Sequence, residues 1–210
     1  MTKRINRISY SLDSKSITAL PDEDIRAILR AADPLIGVGG RTLLSKILKG
    51  SRAQDVVGRE LDRIPAYGFY RALPPEEILA RIDWMILSGY LRIVYEGKLP
   101  VLIYTPTGWY IERDTFASEL LSGFDELLAG GARPYPMAYL VDRDRDMILL
   151  LLDKVAASGD AKYLPVLEDW ERVDHKKVRM AIRDVMARLR LPQLGGGLVT
   201  GNSVSAARGK

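Results

Sequence analysis

The stretch Pro75-Glu-Glu-Ile-Leu-Ala-Arg-Ile-Asp-Trp-Met-Ile-Leu-Ser-Gly-Tyr-Leu-Arg-Ile-Val-Tyr-Glu-Gly-Lys-Leu-Pro-Val-Leu-Ile-Tyr-Thr-Pro-Thr-Gly108 decides the fold. Proline at the first position and two acids in the first turn are a strong helix start, and Ile78, Leu79, Ile82, Met85 and Ile86 carry the apolar period to Ser88. Gly89 ends that helix. Leu91–Tyr95 and Val101–Tyr104 then read as β-branched and aromatic strands, with Glu96–Pro100 as a five-residue hairpin loop. A long helix running into a hairpin is the order of a winged helix-turn-helix.

Upstream, Pro21-Asp-Glu-Asp24 opens a helix over Asp24–Ala32 that stops before Pro34. A Gly37–Gly40 turn leads to a helix over Thr42–Leu48, ended by Gly50. The spacing of Val56, Val57 and Leu61 predicts a third helix over Ala53–Arg63, and Pro65–Pro74 is a loop holding Tyr67, Phe69 and Tyr70. Downstream, a helix is expected over Trp109–Leu121, and from Phe124 onward the chain reads as helical throughout. Its helices are placed at Met147–Ser158, Lys162–Val173 and His175–Arg190. The expected fold is mostly α with a small β-wing, a winged helix-turn-helix followed by a helical hairpin. The domain plan is an arm over 1–23 with an edge strand near Ile5–Leu12, a winged domain over 24–123, a helical domain over 124–191, and a disordered Gly- and Ser-rich tail over 192–210.

Composition removes several kinds of function. The 210 residues contain no Cys and one His, His175, so thiol nucleophiles and Cys-based zinc sites are excluded and no His cluster can form. The longest apolar run, Met147–Leu152, is far too short to cross a bilayer. Gly37-Val-Gly-Gly-Arg-Thr42 has Leu35 and Arg41 where a phosphate loop needs Gly and Lys. Asp142-Arg-Asp-Arg-Asp146 has Met147 where a calcium loop needs its glycine, so it reads as a salt-bridged helix start. The expectation is a cytoplasmic protein without enzyme activity, cofactor, metal or membrane partner.

The charge pattern points to a polyanion. Residues 1–72 carry a net +5, residues 73–146 a net −5 and residues 147–210 a net +4. Gly37–Arg52 holds Arg41, Lys46, Lys49 and Arg52 with no acid, as a phosphate-facing surface requires. Ser51 and Gln54 add neutral donors, and amides at the start of the Ala53 helix are further candidates. A second basic set, Lys176, Lys177, Arg179 and Arg183, lies on the last helix. On charge alone, an ordinary solvated face is as good a reading of either set.

These residues carry a resemblance. Leu48-Lys-Gly-Ser51, the Tyr67-Gly68 pair, the Pro75–Ser88 helix, Gly89-Tyr-Leu91 with its hairpin, and Thr105–Gly108 resemble, in order and spacing, the RQC domain, the winged-helix module of RecQ helicases, over about residues 24–121. The resemblance implies a free-standing DNA-binding protein without helicase motor or zinc subdomain, acting on double-stranded DNA, forked or end structures included, in repair or recombination. It implies backbone-phosphate contacts at Lys49 and Ser51 and at Arg71. It also implies that the long helix stays out of the major groove, which suits Glu76, Glu77 and Asp83, and that the wing pries at a duplex end. Asp55 stands where some relatives are basic, so Arg52 or Arg59 would replace that contact. Tyr95 and Leu99 are the wing candidates for stacking, and Lys98 for a phosphate. Asp174–Ile182, with Pro165 upstream, resembles a HEAT-type hairpin, which implies packing on the winged domain or on a protein partner. The alternatives are an interaction adaptor using those helices and a dimeric winged-helix regulator reading a palindrome. In a bacterium the protein would be nucleoid-associated.

Overall fold

The computed structural model describes residues 9–191. The tail expected over 192–210 and most of the arm lie outside the described residues, and residues 9–12 of the expected edge strand are not a strand. The described residues are mostly helical with one two-stranded antiparallel sheet. They divide into two compact units, one formed by the described residues up to Gly123 together with Asp144–Leu151, the other by Phe124–Arg143 and the described residues from Leu152 on.

In the first unit, helix α1 (Asp22–Ala32) begins after Pro21 with three acids in its first turn and buries Ile25, Ile28 and Leu29. Helix α2 (Arg41–Lys49) buries Leu44, Ile47 and Leu48. It ends in a Schellman motif: Gly50, at φ +76°, donates its N–H to Ile47, and Ser51 donates to Lys46. The third helix is much shorter than its apolar spacing predicts. Helix α3 is only Gln54–Val57, a turn follows, and Leu61–Arg63 is a separate 3-10 turn. Glu60, left-handed at φ +56°, turns the chain between them, which the spacing of Val56, Val57 and Leu61 could not reveal. A helix this short offers no anion site at its amides, contrary to the expectation for the Ala53 helix.

Helix α4 (Pro75–Leu87) packs on α2 through Ile78, Ile82 and Met85, with Leu91 and Leu102 of the sheet in the same core. Strands β1 (Leu91–Glu96) and β2 (Leu99–Tyr104) pair up to Glu96 opposite Leu99, so the hairpin loop is the two residues Gly97-Lys98 and not the five expected. Gly97 at φ +60° supplies the first central residue of such a tight turn.

Helix α5 runs Pro106–Gly130, well past Leu121. Residues 131–144 are mostly irregular, with one 3-10 turn at Ala138–Leu140, which corrects the reading of a helical chain from Phe124 onward. Gly131 at φ +67°, Pro134 and Pro136 break the helix there. Helix α6 is Arg145–Ser158, and the Asp144 carboxylate accepts the N–H groups of Asp146 and Met147 as its cap.

In the second unit, α7 (Leu164–Val173) and α8 (Lys176–Arg190) form the hairpin. Trp170 is fully buried, edge-on to Phe124, and its Nε1 donates at 2.7 Å to the buried Asp174. That carboxylate also accepts the His175 N–H, so one acid closes the turn between the helices. Buried Asp169 accepts from Tyr135 N–H, Arg133 and Arg172. His175 is exposed at the N-cap of α8.

Candidate nucleic-acid interface

The end of α2 leaves carbonyls that need donors, and the 66–71 loop supplies them. Gly68 N–H donates to Ile47 at 2.9 Å and Tyr70 N–H to Leu48 at 2.8 Å. This docking brings two left-handed glycines face to face. A Cβ placed on Gly50 would lie 3.2 Å from Gly68 Cα. The Arg71 guanidinium lies across both. Its Nη2 is 3.0 Å from where a Gly68 Cβ would sit, and its Nε is 3.3 Å from the corresponding point on Gly50. Arg71 is exposed, and among the described residues its guanidinium has no hydrogen bond or ion pair. Arg52 is exposed and unpaired in the same sense.

The other cations of the acid-free segment have work elsewhere. Lys49 is half-buried and donates from Nζ to the carbonyls of Arg71 at 2.7 Å and Leu73 at 2.8 Å. It therefore braces the loop with two of its three N–H donors. Arg41 is paired with the buried Asp83, which also accepts Asp13 N–H. Breaking such a pair leaves a buried charge, at a cost of about 3–5 kcal/mol, so Arg41 is not free to take a phosphate. Asp83 is thus a buried anchor and exerts no repulsion at the surface, unlike Glu76, which is exposed, and Glu77, which is 3.6 Å from Arg81. Lys46 meets Asp55 at 2.7 Å, and that hydrogen bond holds the Asp55 carboxyl below its ordinary range. Both groups are well exposed, so water and salt weaken the pair and Lys46 can be redirected. The segment lacks acids in sequence, but acids from elsewhere reach it in space.

Ser51 is held from two sides. Its carbonyl accepts Tyr67 Oη at 3.1 Å, and its Oγ accepts Ala53 N–H at 3.2 Å, which leaves the hydroxyl hydrogen to donate. Gln54 and Arg59 are exposed. On the wing, Tyr95 is half-buried opposite Pro100, its ring centroid 6.1 Å from that of Tyr10, so it is not the apex. The apex is Gly97-Lys98, with Lys98 exposed and Leu99 beside it at 59% exposure.

On α8, Lys176, Lys177 and Arg183 are exposed and Arg179 half-exposed. Arg183 pairs with Glu171 at 2.5 Å and Arg190 with Glu168 at 3.2 Å. Lys176, Lys177 and Arg179 sit in the first turn, where the helix dipole disfavours cations. The parts the sequence reading missed are the two glycines under Arg71. Each stood in a motif, but only their mutual contact shows what they support.

A helical core ended by an antiparallel hairpin and a basic helix-end loop defines a winged helix. Residues 22–119 match the RQC domain, consistent with an RQC-type domain over that segment. That family consists of non-catalytic DNA-binding domains. No curated protein and no solved structure matches the chain. Among the described residues no helix is long and apolar enough to cross a membrane.

Proposed function

We propose that this chain holds duplex DNA by its backbone, near an end or a junction, without catalysing a reaction. The observation that carries the reading is Arg71, an exposed guanidinium that lies against Gly50 and Gly68 and has no hydrogen bond or ion pair among the described residues; Ser51 and Arg52 follow Gly50 in the chain. A planar guanidinium fork matches two phosphate oxygens at once. Lys46, Gln54 and Arg59, and Lys98 at the wing apex, supply weaker contacts. The acids in the first turn of α4, Glu76 and Glu77, disfavour insertion of that helix into the major groove. Lys176, Lys177 and Arg179 give the second unit a separate, weaker phosphate surface, and its HEAT-like hairpin also serves as the docking element for a protein.

The test is anisotropy of the full chain on blunt duplex, forked duplex, single-stranded DNA and RNA at two salt concentrations. Duplex and fork binding should fall steeply with salt, with a log–log slope of about −0.9 per phosphate neutralised, and should show little sequence preference. Tight binding to a two-fold symmetric sequence, surviving high salt, would favour the regulator instead.

A further inference from the structure

Helix α8 has two unlike faces. Ile182, Val185, Met186 and Leu189 are buried, and α7 packs on that side. On the opposite side Lys177, Met180, Asp184, Ala187 and Leu191 follow one another at steps of three and four residues, and all five are exposed. That is the spacing of a seam along which one helix meets another. Met180 is 56% exposed and Leu191, at the C-cap, 67%. Single exposed apolar residues are ordinary, but Met180, Ala187 and Leu191 fall on one line of one helix. A methionine at the centre of such a line is a flexible, polarizable contact that adapts to the side chains of a partner.

The charge along the seam selects the partner. Lys176, Arg183 and Arg190 recur every seven residues on one flank of it, Arg188 stands on the other, and the one acid of the helix is Asp184. Arg183 and Arg190 reach Glu171 and Glu168 of α7, but with 63% and 55% of their side chains exposed those pairs are weakened by water and salt. Lys176, Lys177 and Arg188 have neither a hydrogen bond nor an ion pair among the described residues. DNA fits this face poorly, because a uniformly negative rod gains nothing from Met180 or Ala187 and is repelled by Asp184 between them. A second copy of the chain would set cations against cations. A peptide helix meets both conditions, since it can be acidic on its flanks and neutral or basic opposite Asp184. The 15 residues of α8 offer it about 22 Å of contact.

We infer that the outer face of α8 receives an amphipathic helix of a protein partner, acidic along both flanks of its apolar stripe. The stripe lies on Met180, Ala187 and Leu191, and the carboxylates meet Lys176, Arg183 and Arg190 on one flank and Arg188 on the other. The inference rests on the reading of the hairpin as a protein-docking element and adds the face that is used and the chemistry of the partner. A helix seated there covers Lys176 and Lys177, and so withdraws the weaker phosphate surface from DNA.

The experiment measures anisotropy of labelled designed peptides with the full chain. Each peptide has about three heptads with leucine at the two seam positions and one lysine at the central one; the flanking positions are all glutamate or all glutamine. The glutamate peptide should bind at least about tenfold tighter than the glutamine peptide, the sum of several flanking pairs. Met180→Asp, a change at an exposed side chain, should weaken the glutamate peptide at least about tenfold while duplex affinity stays within about twofold. Lys176→Glu with Arg183→Glu should erase the preference for glutamate, with thermal melts confirming that both variants fold. Equal binding of the two peptides, lost in Met180→Asp, would overturn the acidic partner and leave the docking reading standing. Binding that survives both variants would place the helix elsewhere and overturn the site. A folded Met180→Asp protein that loses duplex affinity would assign the face to DNA and overturn it too. Failure of both peptides to bind would remove the docking reading and this site with it.

Discussion

Around Gly50 and Gly68 the cations are sorted by partner, whereas along α8 they are spread along one helix. In the first region Lys49 braces a loop, Arg41 is tied to Asp83, and Arg71 is left charged on a glycine floor. In the second, Arg183 and Arg190 are paired with exposed or half-exposed glutamates, while Lys176 and Lys177 stand exposed. Both regions have the same composition signature, yet they differ in how much freedom a bound phosphate would have to remove. Fixing a free lysine or arginine costs up to about 2 kcal/mol of rotamer entropy, much of what one contact returns. A side chain already lying on a fixed floor has less to lose. Counting charges ranks the regions as equals, and the packing separates them.

The largest effect that tests this ranking is on affinity. Arg52→Glu with Arg71→Glu should weaken duplex binding at least about a hundredfold and reduce the magnitude of the log-salt slope by about 2. Lys176→Glu, Lys177→Glu and Arg179→Glu together should weaken it less than about tenfold. The reverse order, in variants with unchanged circular dichroism, would break the comparison.

Next comes the brace. Lys49→Met removes two charge-assisted hydrogen bonds to backbone carbonyls and should lower stability by about 2–4 kcal/mol in urea titration. Affinity per folded molecule should change far less than in the Arg71 variant. A stable Lys49→Met protein that has lost its affinity would restore Lys49 as a phosphate ligand.

A further effect, on stability and not on affinity, is expected from pH. Glu112 is fully buried in the first unit among Arg30, Asp33, Glu119 and Tyr104, and burial pushes its carboxyl up from 4.5 to about 8, against the pull of Arg30. Between those values the folded protein keeps a proton that the unfolded chain has released. Stability is therefore greatest below pH 4.5 as far as this group is concerned, falls as pH rises towards 8, and levels off above it. Glu112→Gln should flatten that decline, as measured by thermal melts from pH 5 to 9. An unchanged slope would show that Glu112 is ionised throughout. Because this group affects the frame and not the glycine floor, affinity per folded molecule should not follow it.

The smallest expected signal is at the wing. Tyr95 faces Tyr10, and the apex presents Lys98 with Glu96 close by, so the hairpin should touch a duplex end without opening it. A 2-aminopurine at the terminal pair should brighten only slightly on binding. A strong rise that disappears in Tyr95→Ala would show that the ring leaves Tyr10 and wedges between bases.

Most of the fold was legible because its signals are local. Pro75-Glu76-Glu77 starts α4, Gly50 stops α2, and the alternation after Gly89 makes the hairpin. What escaped depended on contacts distant in sequence. Arg41 is taken by an acid 42 residues on, and Lys49 by carbonyls 22 and 24 residues on. No window of sequence contains both partners. The short hairpin escaped for a different reason: Leu99 and Pro100 are poor strand signals, yet both lie in the ladder. The break after α5 was there to be read in Gly130, Gly131, Pro134 and Pro136, and the apolar pattern around it masked it.

The contact between Gly50 and Gly68 has a consequence for timing. A recognition surface whose backbone is fixed before the ligand arrives needs no rearrangement after encounter. Capture should then proceed at the rate set by diffusion and the attraction between opposite charges, and fall as salt screens that attraction. Differences in affinity among substrates would appear in how long each complex lives. A Cβ at either glycine would push against Arg71 or the facing backbone and return a folding step to the binding event. The protein would become a slow binder before it became a weak one.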